Sequence, residues 1–197
     1  MAVDLIVSPL SKYWSGDYIT PVMEYAWQMG VAYNVVTPQG MTSRTEGTPY
    51  GGEDAKAERE ELVPFVEKLM TALLSRGAAG AAWDERSNHF GFHRVDPEAF
   101  GELLKRAGQQ FTQKPGLLGR LTGRKETASH LGKSVIFLPI TFDAPLDLEG
   151  KVFGSLPRAK NELETGDWRG IPPEALHPII GAFDEAIEHS LPLAIDM

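Results

Sequence analysis

His89 and His93 stand four residues apart, the spacing that on a helix would turn two imidazoles toward one metal ion. The residues between them include Phe90-Gly91-Phe92, and the segment alternates in period two, so it reads as a strand. On a strand, four residues separate the two Cα atoms by roughly 13 Å, too far to share an ion without a sharp bend at Gly91. The expected arrangement is therefore two histidines on the outer face of a hairpin, with Phe90 and Phe92 inward and no metal, the alternative being a ligand cluster with Asp84. Just upstream, Trp83-Asp84-Glu85-Arg86 places an aromatic ring, two carboxylates and a guanidinium in one turn. Paired carboxylates divide acid and base roles when their environments differ, so Asp84, His89 and His93 are the candidate acid–base groups. An exposed turn is polar for ordinary reasons of solvation, which is the competing explanation.

A second group, Lys12, Tyr13, Trp14, Ser15, Asp17 and Tyr18, follows an apolar run at Asp4–Ser8. Flat rings with polar tips beside a cation and hydroxyls suit a ligand pocket, and equally suit a loop stapled over a sheet. Tyr50, in the glycine- and proline-rich stretch Pro38–Gly52, joins these candidates because long loops without apolar periodicity are either mobile or functional.

Other chemistries fail on residue type or context. The run Gly132-Lys133-Ser134 matches the end of a phosphate-binding loop, but Thr127 replaces the leading glycine and the apolar run VIFLPI follows where a helix is required. Neither GxGxxG nor GxSxG occurs, and no motif implies a cofactor. With no cysteine, disulfides, thiolate metal sites and cysteine nucleophiles are excluded.

The elements that must position these residues follow from periodicity and caps. Asp4–Ser8 and Tyr33–Thr37 read as buried strands. Between them, Thr20 caps a helix opened by Pro21 and stopped by Gly30. That helix is apolar apart from Glu24 and Gln28 and is expected to be covered on most sides, a second copy of the chain being one candidate cover. Strand, helix and strand together predict a parallel β-α-β unit whose rim would hold a crevice beside Tyr13 and Tyr18. Leu62–Gly77 repeats as an amphipathic helix with Pro64 near its start, and Ala78–Trp83 with His89–Val95 predicts a hairpin. Asp96-Pro97 opens a further helix, Val135–Ile140 reads as a central strand, and Asp143–Gly150 as an acidic loop. Helices near Leu156–Glu164 and Pro178–Ser190 precede a short strand at Leu193–Ile195.

Interleaved helices and strands predict an α/β or α+β fold, a single globular domain over residues 1–197 with a mixed, mostly parallel sheet of about five or six strands. The 19 basic and 27 acidic residues give a net charge of −8, which opposes general nucleic-acid binding. Within it, Lys105–Lys133 carries seven basic residues against one acidic, while Asp143–Met197 carries eleven acidic against four basic. That asymmetry suits either an anionic partner or internal neutralisation. The N-terminus has neither a basic leader nor an apolar run of spanning length, so a cytoplasmic location without membrane contact is expected. The expectation for function is a binding protein of the acidic immunity-protein or antitoxin type. The alternative is a small-molecule-binding domain or enzyme using the crevice after the first strand.

Overall fold

The computed structural model describes residues 3–31, 33–37, 40–44, 52–75, 77–80, 82–113, 128–148 and 150–196. In chain order the elements are β1 (Val3–Val7), α1 (Leu10–Ser15), α2 (Pro21–Met29), β2 (Tyr33–Thr37), β3 (Gly40–Arg44), α3 (Gly52–Ser75), β4 (Gly91–Val95) and α4 (Pro97–Phe111). There follow β5 (Ile136–Leu138), β6 (Leu146–Leu148), β7 (Lys151–Ser155), α5 (Leu156–Thr165), α6 (Pro173–Glu188) and β8 (Leu193–Asp196). Local signals act as the sequence implies: the Thr20 hydroxyl accepts from Met23 N–H, Asp96 from Ala99 N–H, and Gly30 ends α2 in the left-handed region at φ 62°.

Six strands form one sheet in the order β4-β1-β8-β5-β7-β6, confirming the α/β class. Its pairing is mostly antiparallel, and only β5 with β7 runs parallel among the described strands. The expected parallel β-α-β unit is absent. Strand β2 pairs antiparallel with β3 in a separate two-stranded sheet, Tyr33 opposite Arg44 and Thr37 opposite Gly40. The reason lies in α2. A crossover helix must press an apolar face onto the sheet, whereas Ala26 is the only buried residue of α2, and Val22, Tyr25 and Met29 are exposed. Within the chain itself the described residues leave α2 largely uncovered.

The register assigns the two sheet faces. Leu5, Val7, Gly91, His93, Leu193 and Phe137 share one face, under α6, whose Phe183 ring sits 5.2 Å from that of Phe137. Asp4, Ile6, Phe92, Arg94, Asp196 and Lys151 lie on the other, where Lys151 Nζ is 5.5 Å from the ring of Trp14 on α1. Helix α3 packs on α1 and runs unbroken through Pro64, so the charged Glu53–Glu61 stretch belongs to the same helix. Its buried face, Ala55, Arg59, Val63, Val66 and Leu73, includes one arginine. The predicted Ala78–Trp83 hairpin arm does not form: Ala79 makes a single bridge to Thr141, and residues 82–90 are irregular. The acidic Asp143–Gly150 loop instead contributes β6, paired to β7. No helix among the described residues is long and apolar enough to cross a membrane.

Candidate functional site

The irregular segment 82–90 is held by a buried polar junction. Glu85 is 2% exposed, and its carboxylate accepts Leu10 N–H at 3.1 Å, Ser11 N–H at 2.8 Å and the Trp83 indole N–H. Pro9 offers no capping side chain to α1, so a carboxylate from 75 residues away supplies the acceptor. Arg59 adds the second clamp. It donates to the carbonyls of Glu85 (3.1 Å) and Ser87 (2.6 Å), to Asn88 Oδ1 (3.4 Å), and pairs with Asp17 at 3.2 Å. Lys12 donates to the Asn88 carbonyl at 2.9 Å, and burial, aided by Arg59 and opposed by Asp17, pushes its pKa down. Tyr18 stacks between Tyr13 (6.3 Å) and Phe90 (5.1 Å). Burial, then Asp196, pushes the Tyr13 hydroxyl pKa up, keeping it protonated. These groups close the space between residues 9–18 and 84–90 with their own side chains. The crevice expected outside two parallel strands is not formed by β1 and β2.

The histidines lie elsewhere than the alternation implied. Gly91 and His93 face α6, while Phe92 and Arg94 face away, so histidine is inward and phenylalanine outward. Glu185 of α6 receives both imidazoles: His89 Nε2 at 2.9 Å from Oε1 and His93 Nε2 at 2.5 Å from Oε2. The His189 ring stacks on His89 with centroids 3.7 Å apart. The Glu185 carboxylate lies over Gly91, where an added Cβ would meet it and push the end of that side chain aside.

A third polar cluster joins the 129–134 turn to α5. Glu162 accepts from Ser129 Oγ (2.6 Å), His130 N–H (2.9 Å) and Leu131 N–H (3.0 Å). His130 Nδ1 accepts Ser155 N–H at 2.9 Å, which fixes its proton on Nε2 toward the Asp143 carbonyl. Burial pushes the His130 pKa below its ordinary 6.5, outweighing the upward pull of that carbonyl and of Glu162. The unfolded chain takes up a proton as pH falls through 6.5 while the folded chain resists it. Stability from this group is complete above that pH and declines as pH falls toward the depressed folded value. His130→Gln should flatten that slope in urea unfolding compared between about pH 5 and pH 8.

Among the residues singled out from sequence, Lys12, Ser15, Asp17 and Tyr18 are brought together with Asn88 and Arg59, and His89 joins His93 through Glu185. Asp84 is not brought in: it is exposed, and its Oδ1 accepts Arg86 N–H. Trp14 is half-buried against Phe65, 6.4 Å away. Tyr50 and most of the basic segment, residues 114–127, lie outside the described residues. Gly132-Lys133-Ser134 sits in a turn before β5, with no helix to receive a phosphate. Sequence reasoning missed Arg59, Glu162, Glu185 and His189. For the last two a signal existed, since Glu185 and His189 stand four apart at the end of a helix and so share a face.

Among the described residues, large apolar side chains are exposed on and beside α2. Ile19, Val22, Tyr25, Met29 and Val31 are all exposed, Tyr25 by 64% and Met29 by 59%, and positions 22, 25 and 29 repeat at three and four along one stripe. The chain matches no protein-family model, no curated protein and no solved structure.

Proposed function

We propose that the chain is a protein-binding protein of the acidic immunity-protein or antitoxin type, engaging its partner through the apolar stripe of α2. The observation carrying this reading is the exposure of Val22, Tyr25 and Met29 along one stripe of α2, with Ile19 and Val31 exposed just beyond its two ends. Folded chains seldom leave several large apolar side chains in water on one helix unless another surface covers them, and tyrosine at the centre is a common energetic anchor. Such a stripe fits an apolar groove in the helix-in-groove manner.

Charge selects the occupant. Glu24 is the only charged residue of α2, and the chain carries −8 overall, so a second copy would bring like charge against like. A different protein whose groove is rimmed by lysine and arginine meets no such penalty and gains from steering.

A photo-crosslinking side chain at position 25, used in cells of the native source, should capture a basic protein other than this chain. With both purified, Met29→Asp should weaken binding by at least about tenfold, and added salt should weaken it further. Adducts only between copies of the chain, or sedimentation as a stable dimer through α2, would replace this reading by self-association. No adduct at all would remove it.

A further inference from the structure

We propose that His89, Glu185 and His189 form a site for one divalent transition-metal ion of the zinc type, with His93 holding the carboxylate in place. One donor atom from each of the three lies within 4.8 Å of the other two, and they come from two separate parts of the chain, the approach to β4 and the end of α6. Imidazole and carboxylate are the donors that zinc and its neighbours in the first transition row accept.

Three features distinguish the cluster from an ordinary ion pair. First, Glu185 is half-buried, and among the described residues it pairs with no lysine or arginine; its partners are imidazoles. Second, the His189 ring makes no hydrogen bond among the described residues, so its nitrogens are available beside the His89–Glu185 contact on which it stacks. Third, the Glu185 carboxylate lies directly over Gly91, so no side chain at that position comes between it and the His89 ring.

The oxygens of Glu185 divide their work. Oε1 faces His89 at 2.9 Å, a separation that widens by a few tenths of an ångström when a metal about 2.0–2.1 Å from each donor sits between them. To ligate, the His89 imidazole presents Nε2 unprotonated and carries its single N–H on Nδ1, and a second proton, where the ring holds one, is released to water as the metal binds. Oε2 stays engaged by His93 at 2.5 Å, an outer contact that orients the ligating carboxylate. His189 is exposed at the end of α6 and is free to turn its ring from stacking to ligation. Three protein donors leave a fourth position to water, the open arrangement of metal sites that act on a substrate.

The site is tested on the full chain without an affinity tag. Calorimetry with Zn²⁺ should give one equivalent per chain, with a dissociation constant on the order of micromolar or tighter, and Co²⁺ should give visible absorption bands of a nitrogen- and oxygen-ligated ion. His189→Ala, at an exposed position, should keep the fold by circular dichroism and weaken binding at least about tenfold. Glu185→Gln should do the same. His93→Gln should retain one equivalent with affinity lowered about tenfold and a shifted Co²⁺ spectrum. His177→Ala, an exposed histidine of the same helix outside the cluster, should change nothing. Absence of Zn²⁺ and Co²⁺ binding near neutral pH overturns the proposal. So does binding that survives both His189→Ala and Glu185→Gln, or that His177→Ala removes equally.

Discussion

Glu85→Ala is expected to destabilise the fold by about 4 kcal/mol, a large share of the 5–15 kcal/mol that holds a domain of ordinary size together. The side chain is buried, and its two oxygens take three donors: the amides of Leu10 and Ser11 and the indole of Trp83. Alanine leaves all three without an acceptor in a place that water reaches poorly. Each orphaned donor costs about 1–3 kcal/mol, and water entering the gap recovers part of the sum. The loss spreads beyond the side chain. Glu85, Ser87 and Asn88 present their carbonyls to Arg59 of α3 and Lys12 of α1, so releasing the loop also removes acceptors from both of these buried cations. The exposed neighbour provides the control: Asp84→Ala should stay within about 0.5 kcal/mol. Urea unfolding followed by tryptophan fluorescence measures both, since Trp83 loses its indole partner only in the first variant. Equal stability of Glu85→Ala and the parent chain would show that the junction does not hold the loop.

Why Glu85 escaped a reading of the sequence is instructive about what short-range signals carry. Helix limits set by local chemistry were legible in part: Thr20-Pro21 and Gly30 bound α2, Asp96-Pro97 opens α4 and α5 covers the expected Leu156–Glu164, but α6 starts at Pro173 rather than Pro178 and leaves Ile187 exposed. Strand positions were legible too, since Val3–Val7, Ile136–Leu138 and Leu193–Asp196 fall within or overlap the expected runs. Pairing was not. An apolar run of five residues fits a parallel or an antiparallel neighbour equally well, and β2 found its partner in β3 rather than in β1. Buried polar contacts were hidden for a related reason. Glu85 and Arg59 look like the solvated residues of a turn and a charged helix until the chain returns 75 and 26 residues away to meet them. The histidine pair shows both sides. Its spacing was visible, but His89 lies before β4 begins at Gly91, and the carboxylate that joins the two rings comes from 96 residues beyond His89.

The same logic makes Glu162→Ala the second large effect, about 4 kcal/mol, and gives it a distinct pattern. Glu162 reaches from α5 to the 129–134 turn, where Ser129 Oγ and the amides of His130 and Leu131 converge on its carboxylate. The turn is fixed on its other sides by backbone packing. Gly132 lies so close to the backbone of Gly108 and Leu104 that an added Cβ would approach the Gly108 amide nitrogen within 2.5 Å, and His130 receives Ser155 N–H from the end of β7. Removing the carboxylate therefore strands donors that cannot turn away to find other acceptors. Ser129→Ala deletes one donor to the carboxylate and also strands Gly132 N–H, which the hydroxyl accepts at 2.8 Å, so it should cost about 2 kcal/mol. In Glu162→Ala that second substitution should cost about 1 kcal/mol less than in the parent, because the hydroxyl then has only the Gly132 contact to lose. Urea unfolding of the two single variants and the double variant measures the coupling. Additive losses would mean that Ser129 and Glu162 stabilise the turn separately, and that the contact between them holds nothing.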